Sequence, residues 1–423
     1  MRKINMFLLI ISGLIIFTPA QKNKFKLSFT ERVRLVTWDN AITLSDVANG
    51  GSSFSRIRTN LAGTWMPNKN FEFALKLTNE FRNYFVPQGK DFNLNEIFVD
   101  QLYAKYKNSF GTITLGRQNI ILGEGFIILD GHPLDGSRSI YFNAVKIDLN
   151  IGKKQTLTMF YTYVPEKDDI LPRINDKKQR LLEQPETGAG IYFSGEFNKI
   201  NLQSYYIYKK VDELNAGTEE SKIHTLGSRV LLSLSNNWNL TGELAYQLGS
   251  RGNEDRNAIG GYAYVDYLLN GGKYFIPKKI TLGGIYLSGD DPSTSKVEAW
   301  DPVFSRWPKW SESFIYTLIK ENKGKVAYWT NFVSVYGKIN FVFSPKIKLG
   351  IDYHHLMALE NNNSAFTNGS GKNRGDLIIV KLNYLINKYL SGHFVWENFN
   401  PGNFYFDNAN GYNWTRVEFL LKI

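Results

Sequence analysis

Arginine is the residue in this chain whose type and spacing could do chemistry. Arg32 and Arg34 stand two apart, as do Arg56 and Arg58, and Arg82 follows Glu80 at the same interval. Residues two apart on a strand share a face, so each pair would present two guanidiniums side by side. A guanidinium is planar, permanently charged and matches a carboxylate with two parallel hydrogen bonds. The chemistry is recognition of acidic groups, and no bond is made or broken. Arg229 and Arg416 join the set on later segments. A blander outcome stays open for any single arginine: pairing with a glutamate on a neighbouring strand to stiffen a wall.

The segments that carry these residues alternate apolar and ionised side chains. Leu27, Phe29, Val33 and Leu35 alternate with Arg32 and Arg34; Ile57 and Leu61 with Arg56, Arg58 and Asn60; Phe73, Leu75, Leu77 and Phe81 with Glu72, Lys76, Glu80 and Arg82. At the other end, Val417, Phe419, Leu421 and Ile423 alternate with Arg416, Glu418 and Lys422. One face for lipid and one for a lumen is the mark of a membrane-spanning barrel strand. A lipid-facing Arg or Lys would cost about 2–4 kcal/mol at the bilayer midplane, so the charged sets are placed inward. Lys105, Lys146, Asp148, Glu243, Asp266, Lys338, Lys348, Asp352, Lys381 and Glu397 fall inward by the same rule.

Connections alternate between short and long. Short turns fall at Pro67–Asn70, Asn108–Ser109, Ile151–Lys154, Asn198–Ile200, Ser235–Asn237, Ser344–Lys346 and Ile386–Lys388, and long polar stretches such as Val164–Thr187, Ser288–Val326 and Leu359–Arg374 lie between them. The expected fold is all-β: a transmembrane antiparallel up-and-down barrel of about 18 strands, with short periplasmic turns and long extracellular loops. A barrel of that size leaves an aqueous channel. Aromatic residues near strand ends, among them Trp38, Trp65, Trp238, Trp396 and Trp414, suit interfacial girdles.

Residues 1–20 read as a signal peptide, with Arg2 and Lys3 before the apolar run Met6–Phe17 and a small residue at Ala20. Residues 21–423 read as one barrel domain. The 423 residues include no cysteine, so an exported chain would do without disulfides. The formal net charge is +11, but the basic residues are dispersed over many strands, and with export this argues against a nucleic-acid partner. None of His132, His224, His354, His355 and His393 stands in a motif with a nucleophile and an orienting acid, so the chain does not read as an enzyme. The expected location is the outer membrane of a Gram-negative-type bacterium.

Two connections are too apolar for plain surface loops. Asn119–Ile140 holds Ile120, Ile121, Leu122, Phe126, Ile127, Ile128 and Leu129 among glycines, and would either bend into the lumen or extend the wall as a hairpin. Ser288–Val326 holds Trp300, Phe304, Trp307 and Trp310. Those rings could stack on sugars, though their number favours a small core that orders the loop. Asp290, Asp291 and Asp301 lack the rest of a calcium-loop pattern. No metal and no cofactor is expected.

Several segments together resemble the alginate-export family of outer-membrane porins. Phe54–Arg58 is similar to its early R-x-R strand, and Val99–Tyr106 followed by Thr112–Gln118 to its strand pair ending in G-R-Q. Gly123–Gly125 and Gly136–Arg138 resemble the glycine-rich loop, Leu287–Asp291 and Trp300–Phe304 the late loop, and Asn400–Gly402 the last outside loop. The resemblance implies a monomeric barrel with an electropositive pore and places Arg56, Arg58, Arg117 and Arg138 among the pore candidates. It implies passage of anionic solutes, sugar acids or an anionic polysaccharide such as alginate. A general-diffusion porin and a surface glycan-binding barrel with a plugged lumen remain as alternatives. Ile113 and Leu115 would turn Arg117 toward lipid by simple alternation, so a β-bulge at Gly116 is expected to bring it inward.

Overall fold

The computed structural model describes residues 24–423 apart from 48–49, 90–95, 130–140, 177–180, 183, 215–217, 270, 273, 275, 306–309, 314–329 and 362–366. The expected signal peptide, Arg138 and Trp307 lie outside the described residues. Among the described residues there is one antiparallel sheet of nineteen strands and no helix. The first half holds β1 (Phe25–Trp38), β2 (Ser52–Trp65), β3 (Phe71–Val86), β4 (Ile97–Lys107) and β5 (Gly111–Gln118). It continues with β6 (Phe142–Asn150), β7 (Gln155–Val164), β8 (Arg173–Ile174), β9 (Glu186–Phe197) and β10 (Ile200–Val211). The second half holds β11 (Ser221–Ser233), β12 (Trp238–Arg251), β13 (Glu254–Leu268), β14 (Ile276–Leu287) and β15 (Phe332–Ser344). It ends with β16 (Ile347–Met357), β17 (Asn373–Leu385), β18 (Leu390–Pro401) and β19 (Tyr412–Lys422).

Each strand pairs with the next, β7 passing directly to β9, and β1 pairs with both β2 and β19. The sheet is therefore closed. β8 is only two residues long, so the wall is made by the other eighteen strands. Alternation assigns the faces. On β12, Leu240, Leu244, Tyr246 and Leu248 are exposed on the outside, while Thr241, Glu243, Ala245 and Gln247 are buried inside. Outer aromatics gather at the short-turn rim, where Trp65 stacks on Phe73 at 5.4 Å and Trp238 lies 4.6 Å from Tyr267. Trp38 and Trp414, expected in a girdle, are instead buried register partners, and Trp38 donates to Gly50 O at 3.2 Å. They seat the loop that follows β1.

Among the described residues, the rhythm of connections breaks on the long-loop side between β12 and β13. The outer link between β12 and β13 is only Gly252 and Asn253. Both strands run on to this two-residue link, and Gly252 supplies the positive φ that a tight hairpin needs at its first turn position.

The wall is also interrupted at β5, which ends at Gln118 where the chain turns inward. This leaves the first residues of β4, before Leu102, without a β5 partner, and other parts of the chain take that place. β8 pairs with Ile97 and Phe98 of β4. Arg117 Nη1 donates to Val99 O at 2.7 Å, and Gln118 Nε2 to Ala144 O at 3.2 Å. Gly116 has φ +123°, and a Cβ there would collide with Leu102 O. The pairing of β5 with β4 and β6 stays in continuous register through Gly116. The device that redirects Arg117 is thus a glycine-only backbone conformation rather than the expected bulge.

Two long connections fold into the upper lumen. Asn119–Leu129 folds inward, with Ile120, Phe126, Ile127 and Ile128 buried. It pairs with the loop after β14, Phe304 N donating to Ile127 O at 2.9 Å. That second loop crosses to distant strands. On one side, Lys209 of β10 donates to Val303 O at 2.7 Å, and Gln247 of β12 exchanges two hydrogen bonds with the Asp301 backbone, at 2.6 and 3.0 Å. On the other, Glu397 of β18, fully buried, accepts from the amides of Glu312 and Ser313 at 2.8 and 3.0 Å and from both flanking serine hydroxyls, Ser311 and Ser313.

Two outcomes follow. Leu244→Arg should destabilise the barrel by about 2–4 kcal/mol in reversible urea unfolding from lipid vesicles; a change near zero would mean the faces are reversed. Glu397→Ala strands four donors, at about 1–3 kcal/mol for each one left buried. Hydrogen-exchange protection of the Glu312 and Ser313 amides should then disappear while the strands stay protected, and retained protection would contradict the clasp.

Candidate functional site

The arginines of the first three strands meet in register. Glu418, Arg34, Arg56 and Arg82 are successive lateral partners across β19, β1, β2 and β3, and Arg32, Arg58 and Glu80 form the adjacent row. Arg34 Nε reaches Glu418 Oε2 at 2.5 Å. Glu80 is shared by three guanidiniums: Arg32 at 3.2 Å, Arg56 at 3.3 Å and Arg58 through its Nε. Arg82 donates to the Tyr84 hydroxyl at 2.9 Å and lies 4.8 Å over the Phe54 ring. Arg34, Arg56 and Arg58 are buried, while Arg32 and Arg82 keep partial access to solvent.

Four lysines elsewhere on the wall pair differently, one carboxylate to each: Lys76 with Asp100 at 2.7 Å, Lys105 with Glu72 at 2.9 Å, Lys338 with Asp352 at 3.0 Å and Lys279 with Asp266 at 3.2 Å, whereas Lys209 reaches both Glu186 at 3.2 Å and Asp301 at 3.4 Å. That is the stiffening ladder. The sharing of Glu80 departs from it.

The remaining candidates separate by place. Arg117 is buried: Nη2 bonds Asp168 at 2.9 Å, Nε bonds Asn143 at 2.9 Å, and the guanidinium lies 3.6 Å over the Tyr141 ring. With its bond to Val99 O this makes it the anchor of the interrupted wall. Arg416 donates to His393 at 2.9 Å and to Glu312 at 2.8 Å, next to the Glu397 clasp. Arg229 bonds Glu124 of the inturned loop, and also Gln203 at 3.0 Å and the Tyr262 hydroxyl at 3.2 Å.

The loop aromatics form a small core. Phe126 stacks on Trp300 at 5.2 Å and meets Tyr262 edge-on at 5.4 Å, and Phe304 packs edge-on to Phe142 at 5.9 Å. A Cβ on Gly260 would strike Trp300, and one on Gly188 would strike Phe304, so both rings sit where the wall is bare. Trp310 differs in also lining an open cavity of about 460 Å³ on the short-turn side of the loops, with Glu124, Tyr262, Tyr264, Tyr336 and Lys338. Asp290 and Asp291 cap local amides, and among the described residues no group of His, Asp and Glu is gathered to hold a metal. Sequence reasoning gave no role to Glu124, Tyr262 or Tyr264. Glu124 lies inside the Gly123–Gly125 motif, and alternation along β13 was the available signal for the tyrosines.

No curated protein matches the chain. Among solved structures, Pseudomonas aeruginosa OpdQ superposes with a TM-score of 0.61 at 12% identity, covering 95% of this chain and 99% of its own. OccK2 (OpdF) of the same organism, in complex with glucuronate, gives 0.57 at 13% identity over 94% and 98%. OpdK, with vanillate, gives 0.56 at 10% identity over 94% and 98%. At these identities the likeness shows the fold, that of outer-membrane porins. A family model described as alginate export matches residues 52–319. A closed barrel whose lumen is narrowed by its own loops, matched by that model over more than half its length, belongs to the alginate-export family of outer-membrane porin-type channels.

Proposed function

We propose that the protein is an anion-preferring channel of the outer membrane, passing sugar acids or an anionic polysaccharide along its arginine wall. The observation that carries this is the sharing of Glu80 by Arg32, Arg56 and Arg58. Packing guanidiniums around one carboxylate makes that side of the lumen positive, and a water-filled cleft between low-dielectric walls focuses such a potential on passing ions. The cavity beneath the loops adds aromatic faces, Tyr262, Tyr264 and Tyr336, beside Lys338, a setting suited to a ring that bears a carboxylate. Glucuronate and vanillate, named with the similar OccK2 and OpdK structures, are both carboxylates. In this reading the chain works as a single barrel in outer-membrane lipid, without a nucleic-acid partner, cofactor or catalytic step.

A second reading is favoured by the loops that meet across the lumen: a glycan-binding barrel whose interior is filled. It requires purified protein to be silent in planar bilayers, whereas the channel reading requires stepwise current.

The buried arginines are poor test positions, because reversing their charge would leave carboxylates buried together. Arg32 and Arg82 retain access to solvent. The double variant Arg32→Gln, Arg82→Gln should insert normally and shift the reversal potential in a KCl gradient toward zero, with a lower chloride-to-potassium permeability ratio. An unaltered reversal potential would count against the arginine wall as the selective element and favour a general-diffusion porin.

A further inference from the structure

The inturned loop brings a carboxylate to the edge of the cavity. Glu124 accepts hydrogen bonds from Arg229 Nη2 and from the Tyr264 hydroxyl, the latter at 2.6 Å. The cradle has its own supports. Arg229 donates to Gln203 and Tyr262, and Tyr262 donates to Glu243 at 2.8 Å. Glu243 in turn accepts from Tyr205 at 2.9 Å. Tyr262 and Tyr264 stand two apart on β13 with their rings nearly parallel, 6.1 Å between centroids. The donors would therefore keep their places if Glu124 left.

Glu124 is less firmly committed than its partner. Its side chain is 29% exposed against 6% for Arg229. Gly123 and Gly125 flank it, both at positive φ, so it is presented between them at the tip of a tight turn. The buried Phe126, Ile127 and Ile128 hold the loop behind it. Glu80 is the contrasting case, enclosed by three arginines with its side chain wholly buried. A carboxylate held by a guanidinium and a phenol, at the wall of an open cavity and beside the Trp310 and Tyr262 rings, has the geometry of a bound ligand. Here the ligand belongs to the chain.

We propose that Arg229 and Tyr264 form a carboxylate-binding subsite that Glu124 occupies in the resting protein, and that a sugar acid entering the cavity competes with Glu124 for it. Arg229 Nη2 and the Tyr264 hydroxyl take the incoming carboxylate, and the pyranose ring lies against Trp310 and Tyr262. No bond is made or broken. The inference rests on the anion-channel reading and deepens it by placing the substrate carboxylate at one pair of residues.

The test uses full-length protein in planar bilayers, with folding checked by heat-modifiable electrophoretic migration. The chloride-to-potassium permeability ratio is measured first, so that loss of anion preference reports on the channel reading alone. Block of the current by glucuronate is then titrated, with glucose as the neutral probe. Glu124→Ala should tighten glucuronate by at least about fivefold, the size of the smaller coupling free energies between interacting groups in proteins, and leave glucose unchanged. Adding Arg229→Gln should abolish the gain. Glu124→Gln, which keeps the side-chain size, should act in the same direction. Glucuronate affinity that is unchanged or weaker in Glu124→Ala, an equal gain for glucose, or a gain that survives Arg229→Gln would each overturn the proposal.

Discussion

A backbone amide in hydrocarbon has no water to bond, and the rest of this structure answers to that constraint. It closes β1 onto β19 and holds every wall strand in a ladder. Where β5 stops short so that the chain can enter the lumen, the same constraint brings in substitutes. β8 covers the end of β4, Arg117 bonds Val99 O and Gln118 bonds Ala144 O. The G-R-Q motif is therefore a solution to a wall defect. Gly116 permits the turn, Arg117 fills the gap beside β4, and Gln118 ties the end of β5 back to Ala144 of β6. An inward loop in a barrel requires such a repair, and the position of the repair fixes where the constriction can begin.

The second consequence concerns charge. Lipid outside drives most ionised groups inward, so a charged lumen alone says little about function. The manner of pairing says more. Lysines matched singly with carboxylates leave a wall with little net field. Three arginines around Glu80, with Arg34 and Arg82 in the neighbouring row, do not. Taking ions out of water costs several kcal/mol each, and ion pairs often only break even against it. A crowded guanidinium row is thus a poor way to gain stability, and the proposed channel reading takes its presence on three adjacent strands as a source of potential.

Much of the fold was legible because its determinants are local. Alternation with a period of two assigns faces from a few residues, and turn residues mark the rim. The features missed depend on register or on distance along the chain. That Arg56 would lie between Arg34 and Arg82 requires the stagger of β1, β2 and β3. That Glu397 would hold residues 311–313, or Glu124 meet Arg229, requires knowing how two loops pass each other inside the barrel. Trp38 and Trp414 look like girdle residues by position, and only the fold of the loop after β1 shows them buried. The long β12–β13 hairpin eluded the pattern because polar residues continue to pair above the membrane.

The anchors also divide the lumen into rigid and yielding parts. The late loop is pinned from both sides, by Lys209 and Gln247 at Asp301 and Val303 and by Glu397 at residues 311–313. Its aromatics rest against bare glycines of the wall. Removing any one anchor leaves the other and the aromatic core in place, so wholesale retreat of this loop requires several independent losses. The inturned loop is pinned at Ile127 by the Phe304 amide and at Gly125 by the Ser305 hydroxyl, and Glu124 is the side chain presented between its two tip glycines. A solute that must pass without dismantling the constriction meets least resistance there. On the proposed reading, permeation would turn on exchange of one carboxylate for another on a fixed set of donors, which discriminates by charge before it discriminates by size.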